Sequence, residues 1–436
     1  MRFAEGLRRR IAARQRVRAS LIVLSGNVAG AAAAFVAAIL AARVLSVDEF
    51  AAFGVGLAIN SLAVQFGDFG LGTVAIAETA DAADRAVARE KLLSLLLHRI
   101  RTAIAVALLV AAVVLLLPPL APYRTAAAIG AGGEVFGSLA FFVIWSLQGK
   151  RRFVAAGGLQ ALQGGLRLVL VGACAIAGLE SAAMMVSYAV LAPIVTAALG
   201  GALLFGRRSG GEEPAPAATE ALPEVDARRR RTMALTGIFS ALVVNGGVLL
   251  LAMLSGEQEV AAYTAAWRFS SGVLLANTAI ASALLPFIVV AADPWAEVKQ
   301  LIRRGLALSA GWLLLVPPMA LVGPFLLGSI GDEARTPLLI LLVAFSLNSF
   351  YFVVYQIYLR VRHERLLLAI AVLQLVVMSL VTVVLQGHGA SAPAYGQLVA
   401  GLLVCVAVLV PVALARIGRC GWFSAPADQA APGAGR

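Results

Sequence analysis

Long apolar runs separated by short polar segments dominate the chain. Twelve of them span about twenty residues or more: 20–42, 50–77, 102–121, 126–148, 153–178, 182–205, 232–254, 262–291, 306–328, 336–359, 366–386 and 393–415. About twenty residues at 1.5 Å rise cross the hydrocarbon of a bilayer, so each run predicts a transmembrane helix. The run 262–291 is long enough to tilt or to extend past the membrane. Only one long polar stretch interrupts the series, RRSGGEEPAPAATEALPEVDARRRR at 207–231. Its Pro, Glu, Ala and Gly content without apolar periodicity predicts a flexible linker between six helices and six.

The two sixes share a phrase. DEFAAFGVGLAINS (48–61) opens the second helix of the first half, and QEVAAYTAAWRFSS (258–271) opens the second helix of the second half. Both carry Glu-x-Ala-Ala-aromatic, as Glu49 with Phe53 and Glu259 with Tyr263, and both follow a Leu-Ser pair. An even number of helices per half makes the halves a parallel repeat about an axis along the membrane normal. The reading is therefore an all-α polytopic membrane protein of about twelve transmembrane helices, in two parallel six-helix lobes around a central cavity. Its parts are an N-terminal lobe at 1–205, a linker at 206–231, a C-terminal lobe at 232–415 and a tail at 416–436. Two lobes that rock against each other are the architecture of alternating access.

Composition agrees and charge adds orientation. Hydrophobic residues make up 61% of the chain and charged residues 13%, about half the share expected of a soluble protein. A net charge of +12 would suggest nucleic acid in a soluble chain, but its placement excludes that. Alternate segments (before residue 20, 79–101, 149–152, 206–231, 292–305, 360–365 and the tail) hold thirty of the 35 Lys and Arg. The opposite side holds Arg43, Arg124 and Arg335, and only Arg167 and Arg268 lie within helices. This positive-inside pattern puts both termini in the cytoplasm and the basic loops against anionic lipid headgroups. The basic start precedes a full span and not a short cleavable one. Residues 79–101 read as a short amphipathic interfacial helix.

Certain wording resembles a known family. AARVLSVDEFAAFGVGLAI followed by FGDFGLGTVAIAE (66–78) resembles the opening of polysaccharide-export flippases of the Wzx type. These belong to the multidrug/oligosaccharidyl-lipid/polysaccharide exporter superfamily. The stretch 249–289, with Pro286 late in it, is similar to that family's seventh and eighth helices. Where many relatives carry an Asp in the seventh helix, this chain has Asn245-Gly246-Gly247. The resemblance implies a bacterial inner-membrane flippase for an undecaprenyl-diphosphate-linked oligosaccharide. It also implies polysaccharide polymerase and glycosyltransferases as partners.

The residues supply candidates for such a cavity. Ionisable side chains inside spans are costly against lipid and face the bundle interior. Arg167 shares a helix face with Gln160, Gln163 and Gly164, and a guanidinium suits a diphosphate. Arg268 heads a second stripe and Arg43 ends the first helix; these three arginines and two glutamines are the substrate-binding set. Asp68 and Glu134 are candidates for coupling to a proton or sodium gradient, or for pairing with Arg167. Asn245 and Asn348 are expected to line the second-half wall or to bond between helices. His98, His363 and His388 form no metal set, and no cofactor or phosphate-cradling Gly-x-x-x-x-Gly-Lys motif is found. A multidrug efflux pump of the same superfamily is the nearer alternative. A membrane glycosyltransferase or polymerase is the more distant one, because every outer loop is short. The chain is thus expected to be a transporter and not an enzyme.

Overall fold

The computed structural model describes the backbone of residues 2–68, 85–150, 152–206, 227–289, 294–360 and 364–416. Among these residues every regular element is helical. In chain order they are α1 (Arg2–Val44), α2 (Val47–Asp68), α3 (Arg85–Leu116), α4 (Arg124–Gly149), α5 (Phe153–Ile176) and α6 (Ser181–Phe205). Then follow α7 (Ala227–Leu254), α8 (Glu257–Val289), α9 (Pro294–Leu327), α10 (Gly331–Arg360), α11 (Glu364–Val384) and α12 (Ser391–Arg416). Among the described residues ten stretches meet the length and hydropathy of a membrane span, one of them, Gln300–Tyr351, running through both α9 and α10. Large apolar side chains such as Leu109, Leu116, Leu314 and Leu321 point outward from α3 and α9, as a lipid-facing surface requires.

The helices pair by one scheme used twice. In the first lobe α1 packs on α5, α2 on α4, α3 on α4, and α4 and α5 on α6; the second lobe pairs α7 with α11, α8 with α10, α9 with α10, and α10 and α11 with α12. A shift of six helices maps one set onto the other. Between lobes α1 meets α8, α2 meets α7, and α2 meets α8, which the same exchange leaves unchanged. The two-lobe expectation therefore holds. The linker 207–226 and the tail beyond 416 lie outside the described residues, as does 69–78 of the quoted motif.

The repeated phrase has a local cause. Ser46 precedes α2, and its hydroxyl accepts from the Glu49 N–H at 3.4 Å while the Glu49 carboxylate accepts from the Ser46 N–H at 3.1 Å. This reciprocal cap satisfies two orphan donors at the helix start. In α8 the same position is Gly256, with the Glu259 carboxylate folded back over it. One turn later both phrases bury their aromatic, Phe53 and Tyr263. The shared glutamate is thus a helix-starting residue.

Two expectations need correction. α3 runs unbroken from Arg85 to Leu116, so 85–101 is continuous with the helix of the 102–121 run and not a separate short helix. α1 likewise extends far ahead of its span, Leu21–Val44, as one 43-residue helix.

Candidate functional site

Glycines set the position of α5. Gly26 lies against Gly157, and Gly30 against Gln160 and Gly164, so that a methyl at any of them would collide with backbone atoms of the facing helix. α1 and α5 therefore touch main chain to main chain, an approach that only small residues permit. Gly164, expected on a cavity wall, belongs to this contact. Gln163 beside it is buried with its Nε2 unpartnered, and the Oε1 of Gln160 is also buried without a partner.

Arg167 stands one turn beyond this contact, half-buried. Its Nε donates to the Tyr188 carbonyl at 3.3 Å, and its guanidinium carbon lies 4.3 Å from the Tyr188 ring centroid. Tyr188 belongs to a π-helical turn, Ser187–Leu191, in the middle of α6. Phe53 of α2 meets the Tyr188 ring edge to face, with centroids 6.1 Å apart.

From the other lobe α8 brings Arg268 to the same place. Arg268 lies within electrostatic reach of both Arg167 and Tyr188, and its buried Nε has no hydrogen-bond partner. Neither arginine makes an ion pair among the described residues. Two guanidiniums within electrostatic reach of one another away from bulk water repel, and an anion bound between them relieves that repulsion. With planar donors on both sides, the pair can grip a group carrying two negative charges.

The acidic candidates lie elsewhere in the first lobe. Asp68 pairs with Arg99 at 2.6 Å, not with Arg167. Arg99, counted among loop charges in the sequence, is completely buried in α3; its Nε donates to the Ser138 carbonyl at 3.1 Å and its guanidinium lies 5.1 Å from the Trp145 ring. Glu134 is fully buried beside this pair, accepting from the Ser138 hydroxyl at 2.5 Å, with its Oε2 unpartnered. Neither acid neutralises Arg167. The second lobe builds a neutral counterpart at the same depth. Asn277, eighteen residues after Glu259 as Gly67 is after Glu49, donates to Ser349 at 2.6 Å and accepts from Trp312 at 2.9 Å. At this position the described residues of the second lobe place an amide where the first lobe has carboxyls and an arginine.

The remaining candidates do not join the arginine pair. Arg43, at the end of α1, donates from Nε to the Leu326 carbonyl at 2.8 Å and from Nη2 to the Phe325 carbonyl at 2.9 Å. It caps the end of α9 in the opposite lobe, two turns along α1 from Phe35, whose ring meets Phe269 at 5.7 Å. Asn245 is buried and donates to the Ala241 carbonyl of its own helix at 3.1 Å. Asn348 is buried against Gly401 of α12. Sequence reasoning missed Arg99 and Tyr188.

The comparisons fit this picture. The model of a family described as polysaccharide biosynthesis protein matches residues 17–291. No curated protein matches the chain in sequence. Among solved structures, an inward-facing multidrug resistance MATE family transporter of the MOP superfamily is similar at 16% identity and TM-score 0.64, over 94% of this chain and all of that one. An outward-facing structure of such a transporter gives TM-score 0.61 at 16% identity, covering 93% of this chain and 96% of its own. The MATE multidrug transporter DinF-BH in complex with R6G gives 0.62 at 14%, covering 92% and 95%. By its matched residues the chain belongs to the polysaccharide biosynthesis protein family, and it carries the two-lobed fold of the MOP superfamily.

Proposed function

We propose that this multi-pass membrane protein is a flippase. It moves an undecaprenyl-diphosphate-linked oligosaccharide across the bacterial inner membrane by alternating access, for surface polysaccharide synthesis. One observation carries the reading: Arg167, seated on Tyr188, and Arg268, from the other lobe and within electrostatic reach of both, have no carboxylate partner among the described residues. A diphosphate bound between them neutralises both and ties its own position to the relation between lobes. The lipid tail stays in the bilayer and the glycan passes between the lobes.

In this reading both termini and the basic segments face the cytoplasm, against anionic lipids. Polymerase and glycosyltransferases act on the lipid-linked glycan before or after transfer. Coupling to a proton or sodium gradient falls to the Asp68–Arg99–Glu134 network, since among the described residues the corresponding position of the second lobe holds the neutral Asn277 cluster.

The fold is equally that of multidrug transporters, so cationic drug efflux is the second reading. Two arginines without a carboxylate partner among the described residues oppose a cationic cargo by charge. The test is Arg167→Ala in the native host, scored for surface glycan, membrane abundance and cationic-dye resistance. Loss of surface glycan at normal abundance with unchanged dye resistance is expected. Arg167→Lys should keep part of the activity, because the charge remains and the fork is lost. Normal surface glycan in a well-expressed Arg167→Ala strain overturns the flippase reading. Loss of dye resistance alone supports efflux.

A further inference from the structure

Pro193 stands two residues beyond the π turn in α6. In that turn backbone bonds run from residue i to i−5, as the Ala192 N–H does to the Ser187 carbonyl. The next bond in this register would run from residue 193 to the Tyr188 carbonyl, and proline has no N–H to give. The Tyr188 carbonyl is left without a backbone donor inside a membrane helix, where an unmet acceptor is costly. Arg167 meets it with Nε, and the Tyr188 ring lies under the same guanidinium.

One bond and one ring face fix the plane of a guanidinium. They also leave its two terminal nitrogens, the pair that forms a fork, without another bond among the described residues. The turn itself is held from behind, by Phe53 on the Tyr188 ring and by Cys174 Sγ at 3.3 Å from Ser187 Oγ. A wide turn of this kind interrupts α-helices mostly as a single turn, and frequently at functional sites.

We infer that Pro193 and Tyr188 are positioning residues of the anion site. The proline withdraws the backbone donor, and the freed carbonyl together with the ring aims Arg167 at a diphosphate shared with Arg268. This rests on reading the arginine pair as the headgroup site. A turn that merely relieves the proline's clash with its own helix would make no difference to ligand binding, and that is where the two accounts part.

The experiment uses the full chain in detergent with farnesyl diphosphate as the probe, measuring affinity by calorimetry and stability by thermal unfolding. Pro193→Ala restores the N–H, so the helix backbone can claim the Tyr188 carbonyl. It should unfold at the same or a higher temperature than wild type, yet bind the probe roughly three- to tenfold more weakly, the loss of about one hydrogen bond. Tyr188→Phe keeps carbonyl and ring and should bind within about twofold of wild type, whereas Tyr188→Leu should weaken binding by at least as much as Pro193→Ala. Wild-type affinity in a folded Pro193→Ala protein overturns the inference. If that variant does not fold, equal affinities of Tyr188→Leu and Tyr188→Phe overturn it instead. Arg167→Ala in the same assay separates the levels. Unchanged affinity there removes the anion site itself, while loss there with Pro193→Ala unaffected removes only the positioning role.

Discussion

At the scale of single residues, burial of charge dictates which side chains must have partners. Arg99 is as buried as any leucine in α3, and what makes this tolerable is Asp68, the Ser138 carbonyl and the Trp145 face. Removing it would take the 2.6 Å ion pair from Asp68, which is 23% exposed, beside the fully buried carboxyl of Glu134. Arg99→Ala is therefore expected to cost about 3–5 kcal/mol, the range for breaking a buried pair from one side. Adding Asp68→Asn should return part of that loss, because the carboxylate charge that Arg99 had balanced goes with it. Thermal unfolding of the single and double variants checks this; a double variant no more stable than Arg99→Ala would mean that the pair is not coupled. The sequence showed Arg167 readily, since a lone arginine in an apolar run must face inward. Arg99 was hidden by its neighbours, His98 and Arg101, which make the stretch read as an interfacial segment at the membrane surface. Its partners lie far along the chain, and two of them are a main-chain carbonyl and a ring face, which no charge pattern displays.

At the scale of elements, helix length and helix contact come from different features of the sequence. Apolar run length fixes the existence of spans because the hydrocarbon thickness is fixed, and the repeated phrase marks the starts of α2 and α8 through its capping glutamate. Helix ends were less legible, as α3 shows: Arg99 and Arg101 lower the apparent hydropathy of a stretch that is continuous with the helix of the 102–121 run. Contact between α1 and α5 rests on Gly26 and Gly30, a Gly-x-x-x-Gly pair, and on Gly157 and Gly164, seven apart on one face; such spacing marks a close helix contact but does not name the partner helix. Because the colliding atoms at these sites belong to backbone, neither helix can yield by a side-chain rotation. Gly30→Leu should force α1 away from α5 and destabilise the lobe by roughly 1–3 kcal/mol or more, as overpacking does. The same change at Gly158, where a methyl meets nothing within 4 Å, should be nearly neutral. Equal unfolding temperatures for the two variants would show that the close approach does not matter to stability.

At the scale of the whole molecule, the lobes are tied at the end where α1 turns into α2 and α7 into α8. Arg43 of the first lobe occupies the carbonyls that α9 of the second leaves open at its end, just ahead of Gly328 with φ +67°. At the head of α8, before its apolar stretch, the Glu257 carboxyl is pushed above its ordinary range. Burial contributes most, then the charge of Asp48 on α2 and a hydrogen bond to that carboxylate. Glu259 and the buried Tyr123 face the same spot and bring no positive charge. The sign follows from proton counting. A raised carboxyl means that the tied state holds a proton that the separated state has already released. The tie is then complete below the ordinary carboxylate pKa and is lost as pH rises through the raised value. Raising the pH should therefore loosen this end of the bundle, an effect on the opening equilibrium and not on the fold. Spin labels on the exposed residues Val44 and Leu254 would report it as longer interlobe distances with rising pH. Glu257→Gln, which keeps a donor for Asp48 and cannot ionise, should stay short throughout. Arg43→Ala should lengthen the distances at every pH, because the α9 carbonyls lose their donors whatever the state of Glu257. An unchanged pH response in Glu257→Gln would assign the titration to another group, and unchanged distances in Arg43→Ala would show that the cap does not hold the lobes together.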